Sequence, residues 1–146
     1  MNTTSSQYDA AIKLCKDLFL KKMKDYGTAW RNLRPTSLTD QIFIKAQRIK
    51  SIEEKGTQKI LDDITGEYIG IINYCIISLI QLELKDDTRV ELPYEEVEQL
   101  YNKYSTQTKQ LMEDKNHDYG EAWRDMRISS LTDLILMKIF RVKQIE

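Results

Sequence analysis

Proline and glycine are scarce in this chain, which has two prolines and five glycines among its 146 residues. A β fold rich in turns would need more of both, because these residues supply the turn conformations. Hydrophobic residues make up 41% and charged residues 31%, the balance of an ordinary globular protein. We therefore predict a single all-α domain over residues 1–146.

Cysteine is equally scarce. Cys15 and Cys75 show no metal-ligand spacing, which predicts reduced, buried thiols in a cytoplasmic protein. The first residues lack the basic and apolar regions of a signal peptide. The most apolar stretch, residues 68–82, is shorter than the roughly 20 residues of a membrane span. It predicts a buried helix and no membrane partner.

An excess of either charge is also absent, since the net charge is −1. Nucleic acid is therefore not an expected partner, because its binding depends on a basic surface. Any phosphate-binding surface would have to be local.

One segment of the chain occurs twice, 93 residues apart. Residues 25–31 read Asp-Tyr-Gly-Thr-Ala-Trp-Arg, and residues 118–124 read Asp-Tyr-Gly-Glu-Ala-Trp-Arg. Across residues 25–53, 17 of 29 positions are identical to their partners. Two copies are too few for a solenoid. They predict a helical bundle of two halves related by a pseudo-two-fold, the single-chain counterpart of a homodimer.

Apolar periodicity divides the first copy into three helices. We expect them at residues 8–25, where a left-handed Gly27 follows, at 37–52 behind a capping box, and at 58–84. Repeat 1 then covers residues 7–84, the linker 85–93 and repeat 2 residues 94–146. The second repeat lacks its third helix, which truncation of the chain would explain. The apolar surface left without that helix is then available to another molecule, including a second copy of the chain.

Basic residues form a polar stripe on the second helix. Lys45 and Arg48 lie close together on a helical projection, and most of the remaining circumference is apolar. One interpretation is that each pairs with a carboxylate of a neighbouring helix. The other is a pocket for a nucleotide or another phosphorylated small molecule. The other residues of this candidate binding set are Arg31, Arg34, Trp30, Lys138 and Arg141, in which the tryptophan would stack on a base.

Acidic residues open the third helix. Asp62, Asp63 and Glu67 are candidate ligands for Mg²⁺, with Glu67 and Asp63 as the candidate catalytic pair. A solvated helix start is the alternative interpretation.

The combined pattern resembles the nucleotide modification associated domain 1 family. The matching residues are Lys22, Asp25, Tyr26, Gly27, Asp40, Lys45, Arg48, Asn73 and Tyr74, with a second set between Lys115 and Arg141. The tandem arrangement resembles a two-copy subgroup. In layout the family is similar to MazG-type all-α pyrophosphohydrolases, which bind Mg²⁺ through Glu-x-x-Glu and Glu-x-x-Asp on paired helices.

The resemblance implies a nucleotide-binding protein of nucleotide metabolism or modification. If the chain is catalytic, it implies Mg²⁺-dependent pyrophosphate hydrolysis. The nearest acidic pairs, Lys50-x-x-Glu53 and Glu67-x-x-Gly70, have each lost one acid. Binding without hydrolysis is therefore a second expectation, and a non-catalytic helical interaction module is a third.

Overall fold

The computed structural model describes residues 3–55 and 61–146, with the side chains of residues 61–63 outside this description. In the described residues the fold is all-α, as predicted. The helices are α1 (Thr3–Tyr26), α2 (Pro35–Lys55), α3 (Leu61–Glu83), α4 (Tyr94–Tyr119) and α5 (Ile128–Ile145). Two 3₁₀ turns, Ala29–Asn32 and Ala122–Asp125, separate α1 from α2 and α4 from α5.

The sequence repeat is also a repeat of the backbone. α1 and α4 end at equivalent tyrosines, both 3₁₀ turns span equivalent residues, and α2 and α5 begin at equivalent positions. Gly27 and Gly120 follow the first helix of each copy with φ values of 60° and 70°. Their amides donate to the carbonyl oxygens of Met23 and Asn116 at 2.7 and 2.8 Å. The predicted left-handed Gly27 at the helix end is thereby confirmed, and Gly120 also has a positive φ.

The predicted helix starts need correction. The expected capping box at Ser37 and Asp40 is wrong, because α2 begins two residues earlier, at Pro35. The amide of Leu38 already donates to the carbonyl oxygen of Arg34 at 3.1 Å. Proline is favoured at this first position, where the missing amide proton has no helical partner. α1 also begins earlier than expected, at Thr3, while the predicted start of the third helix lies outside the described residues.

A direct pair of contacts relates the two copies. The hydroxyl of Thr39 donates to Glu146 at 3.1 Å, and the hydroxyl of Thr132 donates to Glu53 at 3.3 Å. These four residues are two equivalent pairs, so α2 and α5 exchange the same bond in both directions. That reciprocity is the signature of a two-fold contact.

α3 lies at the centre of the first half, where it packs against α1, α2 and α4. Asn73 on α3 donates to the carbonyl oxygen of Cys15 at 3.1 Å and accepts from the buried Tyr101 hydroxyl at 2.7 Å. The cysteine prediction is half right, since Cys15 is buried and Cys75 is exposed. Burial raises the pKa of the Cys15 thiol, which keeps it protonated and unreactive.

α3 is longer than the apolar stretch predicted from the sequence. By length and composition, its Ile64–Glu83 portion would suffice to cross a membrane, with 33% of that stretch buried in the protein. The absence of a membrane partner therefore stays a prediction. Within the bundle, the polar side chains of Asn73 and Gln81 on this helix are hydrogen-bonded to neighbouring segments.

Candidate functional site

Lys45 and Arg48 both form salt bridges with Glu67 of α3. The distances are 3.3 Å from Lys45 Nζ and 3.0 Å from Arg48 Nη1 to the two carboxylate oxygens. The Glu67 side chain is only 12% exposed, so its charge needs these partners. The first interpretation of the basic stripe, pairing with a neighbouring carboxylate, is confirmed. The three side chains still carry one net positive charge.

Gly70 lies where Lys45 crosses α3. A Cβ at this position would be 2.7 Å from Lys45 Cε and 2.8 Å from its Cδ. The lysine stem therefore lies against the helix backbone, which brings its ammonium to 5.9 Å from the Tyr74 ring centroid. Gly70 therefore makes room for the Lys45 side chain on α3.

A pocket of about 410 Å³ opens between α1, the first 3₁₀ turn, α2 and α3. Its polar and small lining residues include Lys22, Lys45, Asn73, Gly66 and Gly70. The aromatic lining residues are Phe19, Tyr26, Trp30 and Tyr74. Six of the nine residues that carry the family resemblance in the first copy line this one pocket: Lys22, Tyr26, Gly27, Lys45, Asn73 and Tyr74.

The pocket walls combine a rigid aromatic side with a flat helical side. Trp30 packs against Phe19 with ring centroids 6.3 Å apart, and the backbone of the 3₁₀ turn is held by the Gln81 amide. Gly66 and Gly70 also line the pocket, one helical turn apart, and the Lys45 stem covers Gly70. A Cβ at Gly66 would meet nothing within 4 Å, so this part of the wall is open. The arrangement can accept a planar ring.

Arg31 is occupied elsewhere. Its guanidinium donates to Gln81, to the carbonyl oxygen of Asp87 at 2.6 Å and to that of Arg89 at 3.0 Å. It therefore ties the end of α3 and the linker to the corner, and it does not line the pocket. These bonds argue against a phosphate contact at Arg31. Arg34 is exposed and also lies outside the pocket lining.

The equivalent basic residues of the second copy do not join this pocket. Lys138 is exposed, and the Arg141 guanidinium donates to Gln144 at 3.4 Å. Arg141 lines a separate, open groove between α2 and α5, which includes Met137 and Phe140. Because the second copy has no described counterpart of α3, no glutamate pairs with these two cations in the manner of Glu67. The predicted binding set is therefore split between two places.

Of the three predicted magnesium ligands, only Glu67 has a described side chain. No group of three or more His, Cys, Asp or Glu side chains comes together there in a way that could hold a metal ion. Glu67 is engaged by two cations, and Glu53 accepts a hydrogen bond from Thr132. The side chains of Asp62 and Asp63 lie outside the described residues. The magnesium site, which depends on these two residues, therefore stays a prediction.

Most of the lining residues were missing from the predicted binding set, which shares only Lys45 and Trp30 with the pocket. Lys22 and Tyr74 were recognised only through the family resemblance, and Gly66 was not singled out. A signal for the two glycines was present, since Gly66 and Gly70 are four residues apart on α3. That spacing puts bare backbone on one face, which favours close approach of another group.

Comparison with known proteins gives one match. The sequence profile of a family described as nucleotide modification associated domain 1 matches residues 22–82 and 115–146. The two matched segments begin at equivalent lysines of the repeat, and the first contains every pocket-lining residue from Lys22 to Ile77. Searches of curated proteins and of solved structures give no significant match. The likeness to MazG-type enzymes and to a two-copy subgroup stays a prediction.

Proposed function

Because the chain belongs to the nucleotide modification associated domain 1 family, we propose that the pocket between α1 and α3 binds a nucleotide or a similar phosphorylated small molecule. The observation that carries the proposal is that six of the nine resemblance residues line this one pocket. The volume of about 410 Å³ suits a small molecule, and such sites typically combine apolar walls with a few polar groups.

The charge and shape of the pocket suggest where each part of a nucleotide would bind, with the phosphate near the lysines and the base near the aromatic rings. Lys45 and Lys22 line the pocket and supply positive charge. An anionic group entering beside Lys45 would share its ammonium with Glu67. The rings of Trp30 and Tyr74 and the bare backbone at Gly66 suit a planar base.

The proposal is for binding, without a hydrolytic step. Magnesium-dependent cleavage of a phosphate linkage requires carboxylates free to hold the ion. Glu67 is the one carboxylate that the described residues place at this cluster, and it is already paired with two cations. A hydrolase would have to draw on Asp62 and Asp63, whose side chains lie outside the described residues.

Thermal-shift and calorimetric titrations with nucleoside mono-, di- and triphosphates, each with and without Mg²⁺, test the proposal. A ligand that binds only the folded chain raises the melting temperature by mass action. Lys45→Ala should weaken binding at least about tenfold, the value of one lost charge-assisted hydrogen bond. Lys138→Ala is the matched control, because Lys138 is the repeat equivalent of Lys45 and lies outside the pocket.

A second variant separates loss of the site from loss of the fold. Gly66→Leu places a side chain into the open part of the pocket and leaves the Lys45–Glu67 pair intact. It should abolish binding while the chain keeps its helical circular dichroism and its melting temperature. If no nucleotide shifts the melting temperature, or if Lys138→Ala weakens binding as much as Lys45→Ala, the proposal fails.

A further inference from the structure

The pocket between α1 and α3 has few polar groups that could recognise the edge of a nucleobase. In the described part of its lining, the charged side chains are Lys22 and Lys45, and both are cations. Arginine, aspartate and glutamate, which make paired or accepting contacts to base edges, do not occur among these described lining residues. Recognition of a base edge would therefore depend on amide, hydroxyl and backbone groups.

Asn73 is the one side-chain amide in the described lining, and its bonds lie within the protein. Its Nδ2 donates to the carbonyl oxygen of Cys15 at 3.1 Å, and its Oδ1 accepts from the Tyr101 hydroxyl at 2.7 Å. An amide side chain recognises adenine by using its oxygen and its nitrogen together. Because both atoms of Asn73 are bonded to neighbouring helices, this paired contact is not available to a ligand.

The carbonyl oxygens of the first 3₁₀ turn are bonded within the protein as well. The Ala29 carbonyl oxygen accepts from the Asn32 side chain at 3.1 Å. Those of Trp30 and Leu33 accept from the buried Gln81 amide at 3.2 and 3.0 Å. The turn therefore offers a ligand mainly the aromatic ring of Trp30 and apolar carbon atoms.

We propose that the pocket binds a nucleoside monophosphate and accepts different bases. This inference rests on the nucleotide site proposed above and adds what that site selects. Aromatic rings stack on every base, because every base has a π face. The remaining side-chain groups in the described lining are the hydroxyls of Tyr26 and Tyr74 and the indole N–H of Trp30. A hydroxyl can donate or accept, so it suits either pattern at a base edge.

The size and charge of the pocket match a single phosphate group. Its volume of about 410 Å³ lies near the lower end of the range of about 300–1,000 Å³ for ligand pockets. A phosphate monoester carries a charge of about −2 at neutral pH. The ammonium groups of Lys22 and Lys45 balance that charge. Further phosphates would find no third cation in the described lining, so they should add little affinity.

Calorimetric titration of the full chain with adenosine monophosphate and inosine monophosphate tests the tolerance for bases. The two bases have the same rings, but the donor and acceptor at their edges are exchanged. Their dissociation constants should agree within about tenfold, the value of one neutral hydrogen bond. A site that recognises the edge would separate them by about 10⁴-fold. A difference of more than tenfold overturns the proposal.

The number of phosphates is tested with adenosine and its mono- and triphosphates, without Mg²⁺ so that a metal ion does not bridge the phosphates to the protein. Adenosine should bind at least about tenfold more weakly than the monophosphate. The triphosphate should bind within about threefold of the monophosphate. Lys22→Ala should weaken the monophosphate at least about tenfold and leave adenosine unchanged. Lys115→Ala is the matched control, because Lys115 is the repeat equivalent of Lys22 and lies outside the pocket lining.

The possible failures are distinguishable. If no nucleotide binds, the proposed function fails and this inference fails with it. If nucleotides bind but the triphosphate binds more than threefold more tightly than the monophosphate, the binding function stands and the monophosphate inference is overturned. Equal weakening of adenosine and the monophosphate by Lys22→Ala also overturns it, because the lysine would then support the pocket without contacting the phosphate.

Discussion

The two Asp-Tyr-Gly corners have the same backbone and different partners. In the first corner, Arg31 binds α3 and the linker. In the second, the equivalent Arg124 donates to Thr4 and Gln7 at the start of α1, both at 2.7 Å, and lies 4.6 Å from the Trp123 ring centroid. Local sequence therefore determines the shape of the corner, and the segment that happens to lie beside it determines what the arginine stabilises.

The same contrast holds for the helix that follows each corner. α2 is covered by α3 on one side and by α5 on another, while α5 is packed extensively against α2 alone among the described residues. Some equivalent residues therefore differ in burial, as Ile49 at 0% and Val142 at 38% exposure do. This difference makes the molecule its own control, since one substitution can be made in two environments.

The largest expected effect comes from Ile49→Ala against Val142→Ala. Ile49 is fully buried in the core cluster shared by α2, α3 and α5, so its truncation leaves a cavity and should lower the free energy of unfolding by about 3 kcal/mol. Val142 is partly exposed, and its truncation should change that free energy by less than about 1 kcal/mol. Chemical denaturation of both variants measures the difference. Equal losses would mean that Val142 is as fully buried in solution as Ile49.

Arg31→Ala against Arg124→Ala should give the next largest difference. Arg31 donates to two linker carbonyl groups and to Gln81, so its removal frees the linker and leaves acceptors unpaired. A loss of about 2 kcal/mol is expected, the value of a charged hydrogen bond in partly buried surroundings. Arg124 binds side chains at a more open site, and about 1 kcal/mol or less is expected.

Hydrogen exchange at the linker distinguishes the two arginine variants further. Amides near residue 89 should lose protection in Arg31→Ala and keep it in Arg124→Ala, because only the first arginine holds the linker. If Arg124→Ala destabilises the chain more than Arg31→Ala, the expected order is wrong. The polar contacts of Arg124 at the start of α1 would then stabilise the fold more than the linker contacts of Arg31.

A smaller difference is expected at the reciprocal threonines. Thr39 and Thr132 make equivalent bonds to Glu146 and Glu53, but Thr132 also lies 2.8 Å from the Tyr68 hydroxyl of α3. Thr39→Val should cost about 1 kcal/mol, and Thr132→Val about one hydrogen bond more. A double-mutant cycle with Tyr68→Phe measures that extra bond. A coupling near zero would show that the tyrosine is satisfied by water and that the two threonines are energetically alike.

The sequence predicted the parts of this fold that depend on neighbouring residues. The repeat, the glycine at each corner and the helical character of every described element follow from local pattern. The partners of Lys45 and Arg48 could be narrowed to two alternatives only, because a helical projection places side chains on a face and does not say what lies opposite. Glu67 was assigned to a metal, and its pairing with two cations became visible only when α2 and α3 were placed together.

The pocket was predicted in part for the same reason. Lys45 and Trp30 were in the candidate set, but Arg31 and Arg34 were added to it through proximity in sequence to the corner. Arg31 is instead directed to a linker more than 50 residues away in the chain. Whether the Arg31 side chain contacts the pocket or the linker depends on long-range packing, which cannot be read from a single sequence.

The smallest expected effect is the loss, at low pH, of the stability that Asp87 contributes to the linker beside the first corner. The Asp87 carboxylate accepts hydrogen bonds from the Arg89 side chain and from its backbone amide at 2.9 Å, which lowers the pKa of Asp87 to about 2. When folding lowers the pKa of a carboxyl group, that group stabilises the fold fully at any pH above its pKa in the unfolded chain. The stabilisation is lost as the pH falls to its pKa in the folded chain. The contribution should therefore be constant above about pH 5 and fade toward pH 2.

Asp87→Asn should lower stability by a small amount at neutral pH and by progressively less between pH 5 and pH 2. Urea denaturation at a series of pH values measures this, with Arg89→Ala expected to remove the same pH dependence because it removes the partner. The linker turn also presents the carbonyl oxygens that Arg31 binds. Arg31→Ala should therefore weaken the effect of Asp87→Asn. If the difference between wild type and Asp87→Asn does not change with pH, the turn does not depend on this carboxylate, and the first corner is held by Arg31 alone.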